Sequence, residues 1–321
     1  MGASFDPVVL FFLLGFIGAV ARSNLKIPTS IYVVLSAYLL LAIGIKGGIE
    51  LYKSHFGEII LPALVTIVLG VGITLLAYAL LRWVFRFDLP NAIALAMHYG
   101  SVSAVTYAVV INYLIQTKTE HEQYVTVLLI LLEIPAIVTG SVMANMLLPK
   151  VEKAQEKKTS LREMLAEILF GKSILLLVGG LVIGYYTMSS HNTVLHKFYI
   201  DLFQGFLAIF LLDMGFVTGK QWKSLKNVGF KLALFAIGMP LLSAVLGILA
   251  GKMAGLSPGG AVVLGTMAAS ASYIAAPTAA KMVLPQANPT YYMTAALGIT
   301  FPFNVVVGVP LYYQLTMWLY G

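Results

Sequence analysis

Apolar residues dominate this chain in long runs, which short polar or charged clusters separate. A helix needs about 20 mostly apolar residues to cross a membrane, and ten such runs can be marked along the chain. The first five predicted spans are residues 7–21, 28–45, 58–81, 89–115 and 123–148. The last five are residues 172–190, 200–218, 228–250, 257–284 and 290–318. The pattern predicts an all-α integral membrane protein with ten transmembrane helices.

One long polar stretch, residues 149–171, divides the chain into two halves, residues 1–148 and 172–321. It predicts a central loop with a short amphipathic helix over residues 160–170, where Thr159 or Ser160 can cap the helix. No Lys or Arg precedes the first span. A signal peptide needs such a basic region, so we expect that span to be retained as a helix.

The basic residues lie unevenly on the two membrane faces that ten spans define. Fifteen of the 20 Lys and Arg residues share the face of the central loop. Because cytoplasmic loops are enriched in Lys and Arg, this face is predicted to be cytoplasmic in a plasma (inner) membrane, with both termini outside. The other face carries Lys46, Lys53, Lys118, Lys197 and Lys252.

Short sequence matches relate the two halves. Residues 133–140 (EIPAIVTG) in span five correspond to residues 300–308 (TFPFNVVVG) in span ten, and their prolines are 167 residues apart. Ser103 and Ser270 have the same offset of 167. A repeat of five spans contains an odd number of crossings, so the second copy must be inverted in the membrane. The matches predict a five-plus-five inverted repeat.

Spans four and nine are predicted to be interrupted helices, because both carry clusters of small and hydroxylated residues. Inverted repeats place substrate near the midplane, where interrupted helices expose backbone groups. Amino-terminal helix ends there attract an anion, whereas carbonyls at carboxyl-terminal ends attract a cation. Small residues also allow simple close packing. The candidate hydroxyls, which can serve an anion or a sodium ion, are those of Ser101, Ser103, Thr106, Ser270 and Ser272.

Prolines inside four spans are expected to leave backbone carbonyls without a helical partner, because proline has no N–H. Pro277 is predicted to free the carbonyl of Tyr273 in the middle of span nine. Each freed carbonyl needs a cation, a water or a donor. The other predicted pairs are Pro135 with Leu131, Pro240 with Ala236, and Pro302 with Gly298.

Among the ionisable residues within the predicted spans, three are candidate functional groups, because charge is costly inside a membrane. Glu133 lies mid-span before the Ile-Pro pair, where it can ligate a cation, carry a proton or form a structural hydrogen bond. Asp213 lies near the cytoplasmic end of span seven, where water or Lys220 can satisfy it. His98 can shuttle a proton, donate to an anion or simply bond within the bundle.

Composition excludes several other classes of protein. The chain is 60% hydrophobic and 10% charged, whereas soluble domains carry roughly 25% charged residues. This argues against a soluble enzyme, a nucleic-acid binder and a disordered scaffold. The absence of cysteine excludes disulfides and thiolate chemistry. There is no phosphate-binding loop and no His-Glu-x-x-His motif, so the sequence favours a secondary transporter that needs no cofactor beyond a coupling ion.

Six short motifs, taken in order, resemble the sodium-dependent bicarbonate permeases of the SbtA type. They are KIPTSI at 26–31, GIKGG at 44–48, LPA at 61–63, EIPAIV at 133–138, MG at 214–215 and QANP at 286–289. The GIKGG motif itself corresponds to residues 215–219 (GFVTG) in the second half. The resemblance covers nearly the whole chain.

The resemblance implies a gate domain that forms a homotrimer, a core domain that carries spans four and nine, and bicarbonate held between the breaks with sodium beside it. It also implies a trimeric PII-like regulator that docks from the cytoplasm. Where the family has an aspartate after its serine run, this chain has Tyr273. By position, the implied substrate-binding residues are Gly100, Ser101, Ser103, Ala269, Ser270, Ala271 and Ser272. The implied sodium-binding residues are Thr106, Ser103, Ser270, Ser272, Tyr273 and Glu133.

Import of an anion against an inside-negative potential costs about 2.3 kcal/mol per 100 mV, so uptake requires a cotransported cation. The leading hypothesis is therefore sodium-coupled uptake of bicarbonate or a similar small anion. One alternative is a cation/proton antiporter in which Glu133 or Asp213 is the carrier. A second is a non-transporting membrane receptor that binds an anion and signals through the central loop.

Overall fold

The computed structural model describes residues 7–23, 28–148, 170–187, 195, 197–221 and 229–321. The described residues form helices and irregular connections, without a strand. In the first half the helices are α1 (Pro7–Val20), α2 (Thr29–Lys53), α3 (Phe56–Ala79), α4 (Leu89–Gly100), α5 (Ala104–Gln116) and α6 (Val125–Leu147). In the second half they are α7 (Lys172–Thr187), α8 (Phe203–Gln221), α9 (Phe230–Met253), α10 (Pro258–Ala268), α11 (Ala275–Val283) and α12 (Pro289–Tyr320).

Within the described residues, seven helical segments are long and apolar enough to cross a membrane. Three shorter apolar helices, Val9–Val20, Lys172–Thr187 and Pro258–Ala268, coincide with predicted spans one, six and nine. The chain is therefore a multi-pass membrane protein. The predicted amphipathic helix at 160–170 lies almost entirely outside the described residues.

Helix α2 is longer than predicted. Span two is predicted to end at Ile45, because charged residues follow, but the helix continues to Lys53. Lys46 and Glu50 are four residues apart on its surface, with 3.9 Å between the Nζ and Oε1 atoms. An acid and a base at this spacing support a helix, so the charged residues extend the helix rather than end it.

Four helices pack in two pairs, α1 with α8 and α2 with α7. Each pair brings glycines against the facing backbone. In α2, a Cβ at Gly44 would lie 3.0 Å from the Gly180 Cα atom of α7. In α8, a Cβ at Gly215 would overlap the Phe12 carbonyl of α1. The paired motifs at 44–48 and 215–219 thus serve close helix packing, as small residues spaced by four commonly do in membranes.

Adjacent glycines in α7 give a matched test of this packing. A Cβ at Gly180 would lie 2.7 Å from the Leu41 carbonyl oxygen, whereas a Cβ at Gly179 would meet no atom within 4 Å. We expect Gly180→Ala to lower the free energy of unfolding by about 1–3 kcal/mol through overpacking. Gly179→Ala should be neutral or stabilising, because alanine favours a helix over glycine by about 1 kcal/mol. Thermal unfolding in detergent measures both, and equal effects would contradict the assigned packing.

The remaining helices enclose span four. Helix α4 packs against α3 and α6, and α9 packs against α10. The apolar window within Leu89–Gln116 is 100% buried, whereas that within Phe56–Val84 is 33% buried. Span four is therefore surrounded by protein. This explains how its hydroxylated residues can lie at membrane depth without facing lipid.

The loops that follow spans four and nine each hold the start of the other interrupted span. Glu122, after span four, accepts a hydrogen bond from the Ser257 hydroxyl at 3.1 Å, at the start of α10. Asn288, after span nine, donates its backbone N–H to the Asn91 side-chain oxygen at 2.7 Å, in the first turn of α4. Each contact therefore has a counterpart in the other half of the chain: a residue after one interrupted span bonds to the start of the other. Together the two contacts hold the interrupted helices next to each other.

Candidate functional site

Both predicted interruptions are present. Helix α4 ends at Gly100 and α5 begins at Ala104, while α10 ends at Ala268 and α11 begins at Ala275. The segments between them, residues 101–103 and 269–274, are called breaks one and two below. Each break joins a carboxyl-terminal helix end to an amino-terminal one. The predicted combination of carbonyl oxygens and amide hydrogens is therefore available on both sides of the crossing.

One hydrogen bond joins the two breaks directly, and a second joins break two to the last turn of α4. The backbone N–H of Ser103 donates to the Ser270 hydroxyl at 2.9 Å. The backbone N–H of Ser272 donates to the His98 carbonyl at 2.8 Å. Ser103 and Ser270 are the pair that the sequence matches placed at equivalent positions, 167 residues apart. The breaks thus meet at two serines that occupy equivalent positions in the predicted repeat.

Serines shape the helix starts beside the crossing. The Ser103 side chain caps α5 by accepting from the Thr106 N–H at 3.1 Å. The Ser272 hydroxyl accepts from the Ala276 N–H at 3.2 Å, in the first turn of α11. Such caps are favoured because the first amides of a helix have no helical acceptor. In both serines the hydroxyl hydrogen remains available to a ligand.

Ser101 and Ser270 differ in what they can offer. The Ser101 hydroxyl is buried and has no hydrogen-bond partner among the described residues. The Ser270 hydroxyl donates its only hydrogen to the Met267 carbonyl at 2.7 Å and accepts from Ser103. Ser270 therefore has lone-pair density for a cation but no hydrogen for an anion. Ser101, with an uncommitted hydroxyl, is the better anion donor.

Tyr273 occupies the end of the serine run with a phenol. The side chain is 5% exposed and packs edge-on against Phe301, with the ring centroids 5.4 Å apart. Its hydroxyl lies beside the Ser103 side chain without a hydrogen bond of normal geometry. The crossing therefore presents a second uncommitted hydroxyl at this position.

The three small residues predicted as substrate contacts serve close packing. A Cβ at Gly100 would overlap the Thr74 hydroxyl of α3. The Ala269 carbonyl accepts from the Asn304 side-chain amide at 2.8 Å, and Ala271 is 2% exposed. In these residues only backbone groups can face a ligand. The sequence analysis did not single out Asn304, although a polar residue in an apolar span was a usable signal.

The proline predictions have two different outcomes. Pro277 lies in the first turn of α11, where an N–H would have no helical partner, so the proline does not cause break two. The carbonyl of Ala236, four residues before Pro240, accepts from the Thr300 hydroxyl at 2.7 Å. The Tyr99 hydroxyl lies 2.7 Å from the same Thr300 oxygen. Since Thr300 has a single hydrogen and donates it to Ala236, Tyr99 must donate to Thr300. The Ala236 carbonyl is therefore satisfied, and the two hydrogen bonds link α4, α12 and α9.

Glu133 is buried at the depth of the breaks. Its side chain is 5% exposed, and no hydrogen bond or ion pair joins it to the described residues. In the same helix, Ala136 lies 3.1 Å from a Cβ placed at Gly100, where break one begins. A Cβ at Gly140 would instead overlap Met97, one turn earlier in α4. The two helices are therefore antiparallel here, and Glu133, one turn before Ala136, lies at the level of break one.

His98 and Asp213 lie in different surroundings. The His98 ring stacks on Tyr292 with the centroids 4.4 Å apart, and its Nδ1 atom lies 2.6 Å from the Ala94 carbonyl. This contact requires a hydrogen on Nδ1, so a neutral ring has its lone pair on Nε2. Asp213 is 6% exposed in α8. Lys220, its predicted partner, interacts with it electrostatically without a salt bridge, and the Lys220 ammonium lies over the Phe216 ring, 4.4 Å from the centroid.

A family model described as the Na⁺-dependent bicarbonate transporter superfamily matches residues 7–317. The match spans both breaks and every candidate residue described above. Among curated proteins, none matches the chain.

Proposed function

The chain belongs to the Na⁺-dependent bicarbonate transporter superfamily, and on this premise we propose that it is a secondary active transporter for sodium-coupled symport of bicarbonate or a similar small anion. The observation that carries the proposal is the crossing of two interrupted helices, joined by the hydrogen bonds of Ser103 and Ser272. Such a crossing offers helix ends of both polarities to an anion and a cation together.

The proposed anion site lies at the amino-terminal ends of α5 and α11. Their first amides and positive dipole ends favour an oxyanion. The hydroxyls of Ser101, Ser103 and Ser272 can donate to it. Backbone groups of Gly100, Ala269 and Ala271 line the same crossing. Ser270, which the sequence analysis included among the substrate contacts, positions break one through Ser103.

The proposed sodium site uses oxygen ligands from the same crossing. Oxygen lone pairs suit a hard cation, and Ser270 has one that is not used by a donor. Glu133 supplies the negative charge that a family aspartate would supply at Tyr273. The remaining proposed sodium ligands are Thr106, Ser103, Ser272 and Tyr273.

Alternating access requires two bodies that move relative to each other. We propose a gate domain of α1, α2, α7 and α8 and a core domain of the other helices, arranged as a five-plus-five inverted repeat. The pairing of α1 with α8 and of α2 with α7 supports this division into domains. The reciprocal contacts of Glu122 and Asn288 support the inverted repeat. The gate domain is also the proposed trimer contact, and the central loop is the proposed dock of a PII-like regulator.

The proposed domains contact each other toward both ends of the bundle. At the end opposite the central loop, a Cβ at Gly47 of α2 would overlap Thr126 of α6, and the Gln204 side chain of α8 donates to the Asn112 side chain of α5 at 2.8 Å. Near the carboxyl-terminal end of α8, toward the loop side, the Thr218 hydroxyl donates to the Leu297 carbonyl of α12 at 3.2 Å. By the basic-residue distribution, the end opposite the loop is extracellular, and so are both termini.

The test is uptake of radiolabelled bicarbonate into proteoliposomes with an inward sodium gradient, compared with choline. We expect sodium-dependent accumulation. Loss of a hydrogen bond to a charged ligand costs about 1.5–3 kcal/mol, so Ser101→Ala should raise the half-saturating bicarbonate concentration roughly 10-fold or more. Ser243→Ala, which removes a buried unpartnered hydroxyl from α9, is the matched control.

Other outcomes separate the alternatives. Sodium exchange for protons without anion movement would indicate the antiporter. Anion binding without flux would indicate the receptor. Absence of uptake for bicarbonate and for other small oxyanions under every gradient would contradict the proposed symport.

A further inference from the structure

A cavity of about 160 Å³ lies between the first turn of α7 and the helix α11. It is at the bundle end where the central loop joins α6 to α7. Ile274 of break two and Ala275, the first residue of α11, form part of its wall. The cavity therefore adjoins the crossing directly. Since a water occupies about 30 Å³, the cavity has room for an anion of four heavy atoms with a few waters.

A fixed positive charge lies at this cavity. Lys172 lines it, and the Lys172 ammonium donates to the Val33 carbonyl at 3.1 Å and to the Ser36 hydroxyl at 3.2 Å. An ammonium has three hydrogens, so one remains for a ligand. The two bonds to α2 hold the charge in place without neutralising it. Among the described residues that line the cavity, none is acidic.

The hydroxyl of a buried residue supplies a second, independent sign of a ligand. Ser173 lines the cavity and is 5% exposed as a residue. Its hydroxyl forms no hydrogen bond with the described residues. Ser173 lies in the first turn of α7, which begins after Gly171 and whose amides have no acceptor within the helix. The unpartnered hydroxyl, the amides of the helix start and the held ammonium together favour a small oxyanion.

We propose that this cavity is a second anion site, in which Lys172 and Ser173 bind the transported oxyanion after it leaves the breaks and before it enters the compartment on the loop side. The inference rests on the proposed function, because it makes the cavity the release site of the same anion.

The experiment is isothermal titration of the purified full-length protein in detergent with bicarbonate and, separately, with nitrate. The titration should show two binding events, one at the breaks and one at the cavity. Lys172→Gln and Ser173→Ala should each weaken the affinity of the cavity event roughly 10-fold, since each removes one donor to a charged ligand. Lys281→Gln should leave both affinities unchanged. Lys281 lies on α11 and lines a neighbouring cavity instead.

Two results would overturn the proposal. The first is that Lys172→Gln and Ser173→Ala both bind bicarbonate and nitrate with the affinity of the unmodified protein. The second is that Lys281→Gln loses as much affinity as those two variants. The unmodified protein could instead fail to accumulate bicarbonate while it binds nitrate in a way that depends on Lys172. This result would contradict only the function proposed above. In that case the cavity would remain an anion site.

Discussion

Replacement of Glu133 by glutamine should abolish sodium-dependent anion uptake and leave the fold intact. The Glu133 carboxyl is buried at the depth of break one and has no hydrogen bond or ion pair with the described residues. An isolated buried carboxylate is unstable unless a cation or a proton accompanies it. Loss of one partner from a buried charge pair costs about 3–5 kcal/mol. We therefore expect sodium activation to weaken roughly 100-fold or more.

Uptake as a function of sodium concentration measures this effect, and thermal unfolding checks that the variant is folded. Glutamine keeps the volume and removes only the charge. Asp213→Asn is the matched comparison, since Asp213 is the other buried acid singled out within the predicted spans. Normal sodium activation in Glu133→Gln would rule out Glu133 as the sodium anchor. Loss of activation in Asp213→Asn alone would assign that role to the gate helix α8.

Replacement of Ser270 by alanine should reduce uptake to a small fraction of the original rate. This serine accepts the Ser103 N–H at 2.9 Å, and alanine would leave that buried amide without an acceptor. An unsatisfied buried donor costs about 1–3 kcal/mol. The variant would also lose a proposed sodium ligand. The two effects act on the same crossing, so we expect both a lower melting temperature and a loss of transport.

Ser270→Thr tests the reason for the loss. Threonine keeps the hydroxyl, so it should restore part of the transport if its added methyl group is accommodated. Ser243→Ala again controls for removal of a buried hydroxyl. Normal uptake by Ser270→Ala would contradict the proposed position of the crossing. A loss of stability with normal transport would limit Ser270 to a structural role.

The interruptions of spans four and nine were predictable because Gly, Ser and Thr replace leucine in an otherwise apolar run. Their cause was not. Pro277 was predicted to free the Tyr273 carbonyl in the middle of span nine, but the helix already ends at Ala268 and starts again at Ala275, before the proline. Serine caps and contacts between the two breaks determine where the helices end. These interactions join residues 167 positions apart, so no local pattern contains them.

The role of each hydroxyl also required the structure. Ser101 and Ser270 are the same residue type in similar sequence surroundings. The Ser101 hydroxyl has no partner in the part of the chain that the structure describes, whereas the Ser270 hydroxyl donates to Met267 and accepts from Ser103. Likewise, the polar residues Thr300 and Asn304 satisfy the carbonyls of Ala236 and Ala269. Which oxygen is free for a ligand depends on distant neighbours.

By itself the sequence determined the membrane class, where along the chain the apolar helices lie, though not every helix end, and the location of the two breaks. The physical reason is that the cost of transferring polar groups into lipid acts on each segment separately. Only the tertiary structure decided which helices pair, which hydroxyls remain uncommitted and where Lys172 and Ser173 form a cavity beside break two. Those features depend on hydrogen bonds and close contacts between segments far apart in the chain, whose geometry exists only once the bundle is assembled.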